Sequence, residues 1–68
     1  MALLSVIVNG TGVETSARNL AELIEKEHRG KGKVATALNG QFVPVRARAS
    51  AELCPGDVIE ILSARQGG

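Results

Sequence analysis

The chain begins with a β-branched apolar run, "ALLSVIV" (Ala2 to Val8), that stops at four turn-forming residues, "NGTG" (Asn9 to Gly12). A run of that length bounded by turn residues predicts a strand. "VET" (Val13 to Thr15) predicts the return strand of a hairpin, because Asn-Gly suits a turn whose two central residues both need positive φ. Leu20, Leu23 and Ile24 then recur at helical spacing, with Asn19 placed as N-cap and Glu22 three residues later as in a capping box. Glu22 with Lys26 and Glu25 with Arg29 stand four apart on the polar side, and Gly30 supplies the stop before the loop Lys31-Gly32-Lys33. "VATAL" (Val34 to Leu38) alternates as a strand, and "NGQ" (Asn39 to Gln41) forms a second Asn-Gly turn. "FVPV" (Phe42 to Val45) follows, confined by Pro44 to a sheet edge or a strand end. Arg46 to Leu53 predicts a short irregular or one-turn helical connection, "CPGD" (Cys54 to Asp57) a turn, and "VIEIL" (Val58 to Leu62) the last strand.

This order predicts an α+β single domain: a mixed sheet of about four to five strands with one main helix on one face. The first and last strands are the most apolar and belong side by side in the middle. That is the ubiquitin-like β-grasp plan, with residues 1–62 as the domain and residues 63–68 as a flexible tail running from the last strand into solvent. Alternation turns Ile59 and Ile61 toward the helix and Val58, Glu60 and Leu62 away from it. Val58 and Leu62 are expected to join Leu3 and Ile7 in an apolar patch near the tail's base, a candidate partner-binding surface.

Composition narrows the function classes. A domain of 68 residues has a small core, burying about 60% of its unfolded surface, and its single aromatic, Phe42, leaves that core aliphatic. Eight basic and seven acidic residues give a net charge of +1, which offers no electrostatic case for nucleic acid or an anionic membrane. The single cysteine, Cys54, cannot form an internal disulfide, which points to a reducing compartment. "MALLSVIVNG" lacks the basic start of a secretion signal, and no apolar stretch is long enough to span a membrane. A cytoplasmic protein is expected.

No catalytic constellation is visible. His28, the only histidine, has no ligand-spaced Cys or carboxylate, and late in the helix it is expected to close the apolar stripe or face water. Cys54 is expected to be a small buried apolar residue. "RGKGK" (Arg29 to Lys33) lacks a preceding strand and reads as a solvated helix exit, while Arg46 and Arg48 read as ordinary surface. One reactive group remains, the terminal carboxylate of "SARQGG" (Ser63 to Gly68). It is ionised at neutral pH and can attack the α-phosphorus of ATP held by a partner. Sulfur can then displace AMP from the acyl-adenylate and leave a thiocarboxylate. Six extended residues reach about 20 Å, and Gly67 and Gly68 bring no Cβ into a narrow channel.

With "VNG" after the first strand, "ALNGQFVP" in the middle, "PGDVIEIL" and the final "GG", the whole chain resembles the ThiS family, the sulfur carriers of thiamine biosynthesis. The resemblance implies that Gly68 is adenylated by a ThiF-type (E1-like) enzyme, with Gly67 as its required neighbour. It further implies that a sulfur donor protein supplies the sulfur and that the thiocarboxylate passes to thiazole synthase. The chain would be a carrier rather than an enzyme, with no bound cofactor or metal, and ATP consumed by the partner. Two alternatives stay open: a sibling carrier such as the small subunit of molybdopterin synthase, and a β-grasp interaction module without covalent chemistry.

Overall fold

The computed structural model describes residues 2–28 and 33–63. Strands β1 (Leu4–Val8) and β2 (Thr11–Thr15) form the first hairpin, followed by helix α1 (Leu20–Glu27). Strands β3 (Val34–Leu38) and β4 (Gln41–Val43) form the second hairpin, a 3₁₀-helix covers Val45–Ser50, and β5 (Val58–Ser63) closes the fold. The five strands make one sheet in the order β2-β1-β5-β3-β4. β1 and β5 run parallel, and every other neighbouring pair is antiparallel. The expected α+β mixed sheet with one helix is therefore present, and the last strand takes its centre with the first beside it.

Both hairpins turn on Asn-Gly. Asn9 has φ 50 and Gly10 φ 85, and Asn39 has φ 52 and Gly40 φ 85. Positive φ at both central residues is the type I′ geometry that follows strand twist, and asparagine tolerates it better than most side chains. The first turn takes two residues, so β2 begins at Thr11, two residues earlier than the sequence pattern suggested.

Each of these asparagines also reaches into β5. The Asn9 side chain accepts from Ile61 N at 2.8 Å and donates to Ile61 O at 3.1 Å, while its own N–H donates to Ile59 O at 2.9 Å. An amide side chain thereby extends the parallel ladder past the point where β1 turns away. From the opposite side, Asn39 Oδ1 accepts from Val58 N at 2.9 Å and Asn39 Nδ2 donates to Asp57 Oδ1 at 3.0 Å. β5 is clamped near both ends by the turns that flank it.

The helix starts as its sequence indicates, with one shift. Asn19 Oδ1 accepts from Glu22 N at 2.9 Å, but Glu22 Oε1 accepts from Arg18 N at 2.8 Å rather than from the cap residue itself. Asn19 also forms a bridge to Glu52, made by Leu20 N donating to Ala51 O and Leu53 N donating to Arg18 O. The start of α1 is thus tied to the segment that leads into β5. Leu20 and Leu23 of α1 pack on Val6, Val8, Ile59 and Ile61 of the two central strands, with Ala17 and Leu53 at the margin. Burial of each larger aliphatic side chain in this layer stabilises the fold by about 1.5–3 kcal/mol.

Two expectations fail here. Arg48 is buried, whereas Val45, three residues earlier in the 3₁₀-helix, is 70% exposed. The Arg48 guanidinium donates from Nε to Thr36 Oγ1 at 3.0 Å and from Nη2 to Val34 O at 2.8 Å, and Thr36 Oγ1 donates in turn to Val43 O at 2.8 Å. The cation points inward because β3 offers it acceptors that an aliphatic side chain would leave unmet. Cys54 is exposed, because the 54–57 turn is closed by Cys54 N donating to Asp57 Oδ2 at 2.8 Å and this leaves its side chain outside the core. His28 caps α1 half-buried, with its N–H donating to Ile24 O, and the helix stop expected at Gly30 lies outside the described residues.

The double role of Asn9 can be separated by substitution. Asn9→Gly keeps the positive φ and removes the clamp, and is expected to cost about 1–2 kcal/mol for two lost hydrogen bonds to a β5 peptide. Asn9→Ala adds backbone strain and should cost more. Urea unfolding of both variants checks this, and wild-type stability in Asn9→Gly would show that the clamp contributes nothing.

Candidate functional site

Helix α1 covers one face of the sheet and leaves the other open. Alternation along the strands defines the open face: Ser5 and Ile7 on β1, Gly12 and Glu14 on β2, Ala35 and Ala37 on β3, Phe42 on β4, and Val58, Glu60 and Leu62 on β5. The register fixes its rows. Ile7 lies between Gly12 and Val58, Ala37 lies between Glu60 and Phe42, and Ala35 faces Leu62. Large apolar side chains are prominent here: Phe42 is 68% exposed, Leu62 64%, and Ile7 and Val58 38% each.

The four residues expected to form one patch do not lie together. Ile7 and Val58 are direct neighbours. Leu62 is four residues further along β5, about 13 Å toward the tail, and Leu3 is four residues back along β1, about 13 Å in the opposite direction. Leu3 is exposed but belongs to the far end of the sheet. The parallel pairing of β1 with β5 forces this, since Ile7 aligns with the start of the last strand rather than its end.

Phe42 takes the place Leu3 leaves. Its backbone sits opposite Ala37, whose small side chain leaves the ring standing above the sheet. The signal was available: a two-residue turn at Asn39-Gly40 pairs Leu38 with Gln41 and therefore Ala37 with Phe42. The apolar surface at the tail's end of the sheet thus comprises Leu62, Ala35, Ala37 and Phe42, continuing through Val58 to Ile7.

The tail departs from a well-anchored strand. Ser63, the last residue of β5, pairs with Val34, and Val34 O is the acceptor of the Arg48 guanidinium. Ile61, two residues before Ser63, is held by Asn9 on one side and pairs with Thr36 on the other. Gly67 and Gly68, the residues expected to carry the chemistry, lie outside the described residues, as does residues 64–66 of the expected tail. Among the described residues no cluster of three His, Cys, Asp or Glu side chains could hold a metal ion, and no helix is long and apolar enough to cross a membrane. His28 and Cys54 sit on different elements, each without a nucleophile–base arrangement in the described hydrogen bonds.

What this geometry provides is an open sheet face with exposed apolar side chains beside a central strand that ends at Ser63. Exposed side chains here contribute little to stability. Leu62→Asp and Phe42→Ala are expected to cost under about 1 kcal/mol, whereas Ile61→Ala, on the buried side of the same strand, should cost about 2–4 kcal/mol. Chemical denaturation of the three variants checks the assignment of faces, and a large loss in Leu62→Asp would place that residue in the core.

Comparison with known proteins agrees with this architecture. The model of the ThiS family matches residues 3–68. The crystal structure of a thiamine biosynthesis protein (ThiS) from Geobacter metallireducens superposes with a TM-score of 0.79 at 25% sequence identity, covering 96% of this chain and 100% of that one. Among curated proteins, none matches the chain significantly.

Proposed function

The chain belongs to the ThiS family, and from that premise we propose that Gly68 is the working residue of a sulfur carrier whose folded body presents it to partner enzymes. The family and the ThiS neighbour support a sulfur-carrier role in thiamine biosynthesis. The chemistry proposed for it proceeds in two displacements. A carboxylate oxygen of Gly68 attacks the α-phosphorus of ATP on a ThiF-type enzyme, pyrophosphate leaves, and an acyl-adenylate forms. Hydrosulfide released by a donor protein then attacks the carbonyl carbon, the bond from that carbon to the phosphate oxygen breaks, AMP leaves, the sulfur loses its proton, and the thiocarboxylate remains. Thiazole synthase takes up that sulfur in the cytoplasm. The chain supplies no general acid or base to either step and acts as a cosubstrate.

The observation that carries this reading is the position of β5. A strand at the sheet's centre, bound to β1 and β3 and clamped by Asn9 and Asn39, holds a fixed direction right up to Ser63. A body anchored this way can dock on one surface while the residues after Ser63 enter a site on the partner. Ile7, Val58, Leu62 and Phe42 are the proposed docking residues, because they lie on the open face that leads to that exit. Leu3 falls away from the proposed interface.

Incubation with a ThiF-type enzyme, ATP and a sulfur donor is expected to raise the intact mass by one oxygen-to-sulfur exchange. Deleting Gly68, or adding a residue after it, should abolish the exchange. Leu62→Asp should slow it about tenfold or more with an unchanged circular dichroism spectrum. A competent enzyme that leaves the wild-type mass unaltered would end the proposal.

A further inference from the structure

The proposed docking face contains one feature that an apolar interface alone does not explain. Glu60 lies at its middle. Val58 and Leu62 flank it on β5, about 7 Å away on either side, and Ala37 and then Phe42 follow it across the sheet. Its side chain is exposed and holds no hydrogen bond or ion pair among the described residues. A partner that covers Val58, Leu62 and Phe42 together must also cover the carboxylate between them.

We propose that Glu60 is a specificity-determining contact, paired with a single cationic side chain, an arginine or lysine, set within an apolar surface of the adenylating partner. The inference rests on the sulfur-carrier reading and adds the partner chemistry that reading leaves open. Two observations carry it. The first is enclosure: burying a carboxylate without a counter-charge opposes association, and a matched cation removes that penalty. The second is the sign of the face. The five strands contain two charged residues, Glu14 and Glu60, and no basic one, although the whole chain carries a net charge of +1. The basic residues have been kept off the sheet, so its open face is acidic within a weakly basic molecule. Such a face steers a basic partner surface toward it and rejects acidic or wholly apolar ones.

The direction of one mutational effect decides the matter. If a cation meets Glu60, then Glu60→Gln and Glu60→Leu both strand that cation and weaken binding, by about 30-fold or more. If no cation is there, both substitutions relieve the desolvation of a carboxylate, and binding stays equal or tightens. The experiment titrates the cognate ThiF-type enzyme with full-length wild-type, Glu60→Gln and Glu60→Leu protein at low and high salt, with thermal melting to verify folding. Weakened binding in both variants, together with a salt dependence that the wild type shows and Glu60→Gln loses, is the expected result. Equal or tighter binding in the variants overturns the inference while the carrier reading stands. A wild-type protein that neither binds the enzyme nor acquires sulfur overturns both.

Discussion

The structure depends on how β5 is held. A strand with neighbours on both sides has its ladder hydrogen bonds satisfied, and this one has β1 in parallel and β3 antiparallel to it. The parallel pairing covers two residue pairs, Ile7 with Val58 and Val8 with Ile59, before β1 turns into its hairpin. That would leave Ile61 without a partner on its β1 side. The Asn9 amide fills the gap by presenting an acceptor and a donor to the Ile61 peptide, as another strand would. The same asparagine sets the turn. One residue therefore ends β1 and extends the reach of its pairing, and Asn39 does corresponding work at the start of β5.

Two consequences follow for the body of the protein. Because β5 is fixed at the centre, its two faces have separate duties. Ile59 and Ile61 bury against Leu20 and Leu23, and Val58, Glu60 and Leu62 are left to the solvent side. The helix is secured to the same strand indirectly, through the hydrogen bonds between residues 18–20 and 51–53. On the other flank, Arg48 ties the 3₁₀-helix to β3 through Thr36 and Val34, one pairing away from Ile61 and Ser63. The strand that ends at Ser63 is thus buttressed by both connections that precede it.

The open face and the end of β5 lie side by side, because β5 is the central strand and contributes Val58, Glu60 and Leu62 to that face. In the proposed carrier role, docking through the face would set the orientation of the globule relative to the partner. Small side chains at Ala35 and Ala37 keep β3 low on this face, with Phe42 rising on one side and Glu60 and Leu62 on the other. A surface of this kind combines exposed apolar area with a single carboxylate, Glu60.

Much of this was legible in the chain by itself, because it rests on local chemistry. Asn-Gly pairs mark type I′ turns through positive φ, Asn19 marks a helix start through its side-chain acceptor, and alternation in "VIEIL" assigns faces to the last strand. Each of these signals operates over a few residues. The family pattern was readable for the same reason, being a string of such turns and strands in order. Tertiary structure alone decided the rest. Parallel alignment of β1 with β5 put Leu3 and Leu62 at opposite ends of the sheet, and register is a property of paired strands rather than of either one. Burial of Arg48 and exposure of Val45 and Cys54 came from the course of a 3₁₀-helix and a tight turn, where no repeating period tells inside from outside. The inward Asn9 amide depends on a partner 52 residues away, a contact that exists only once the sheet has closed around its last strand.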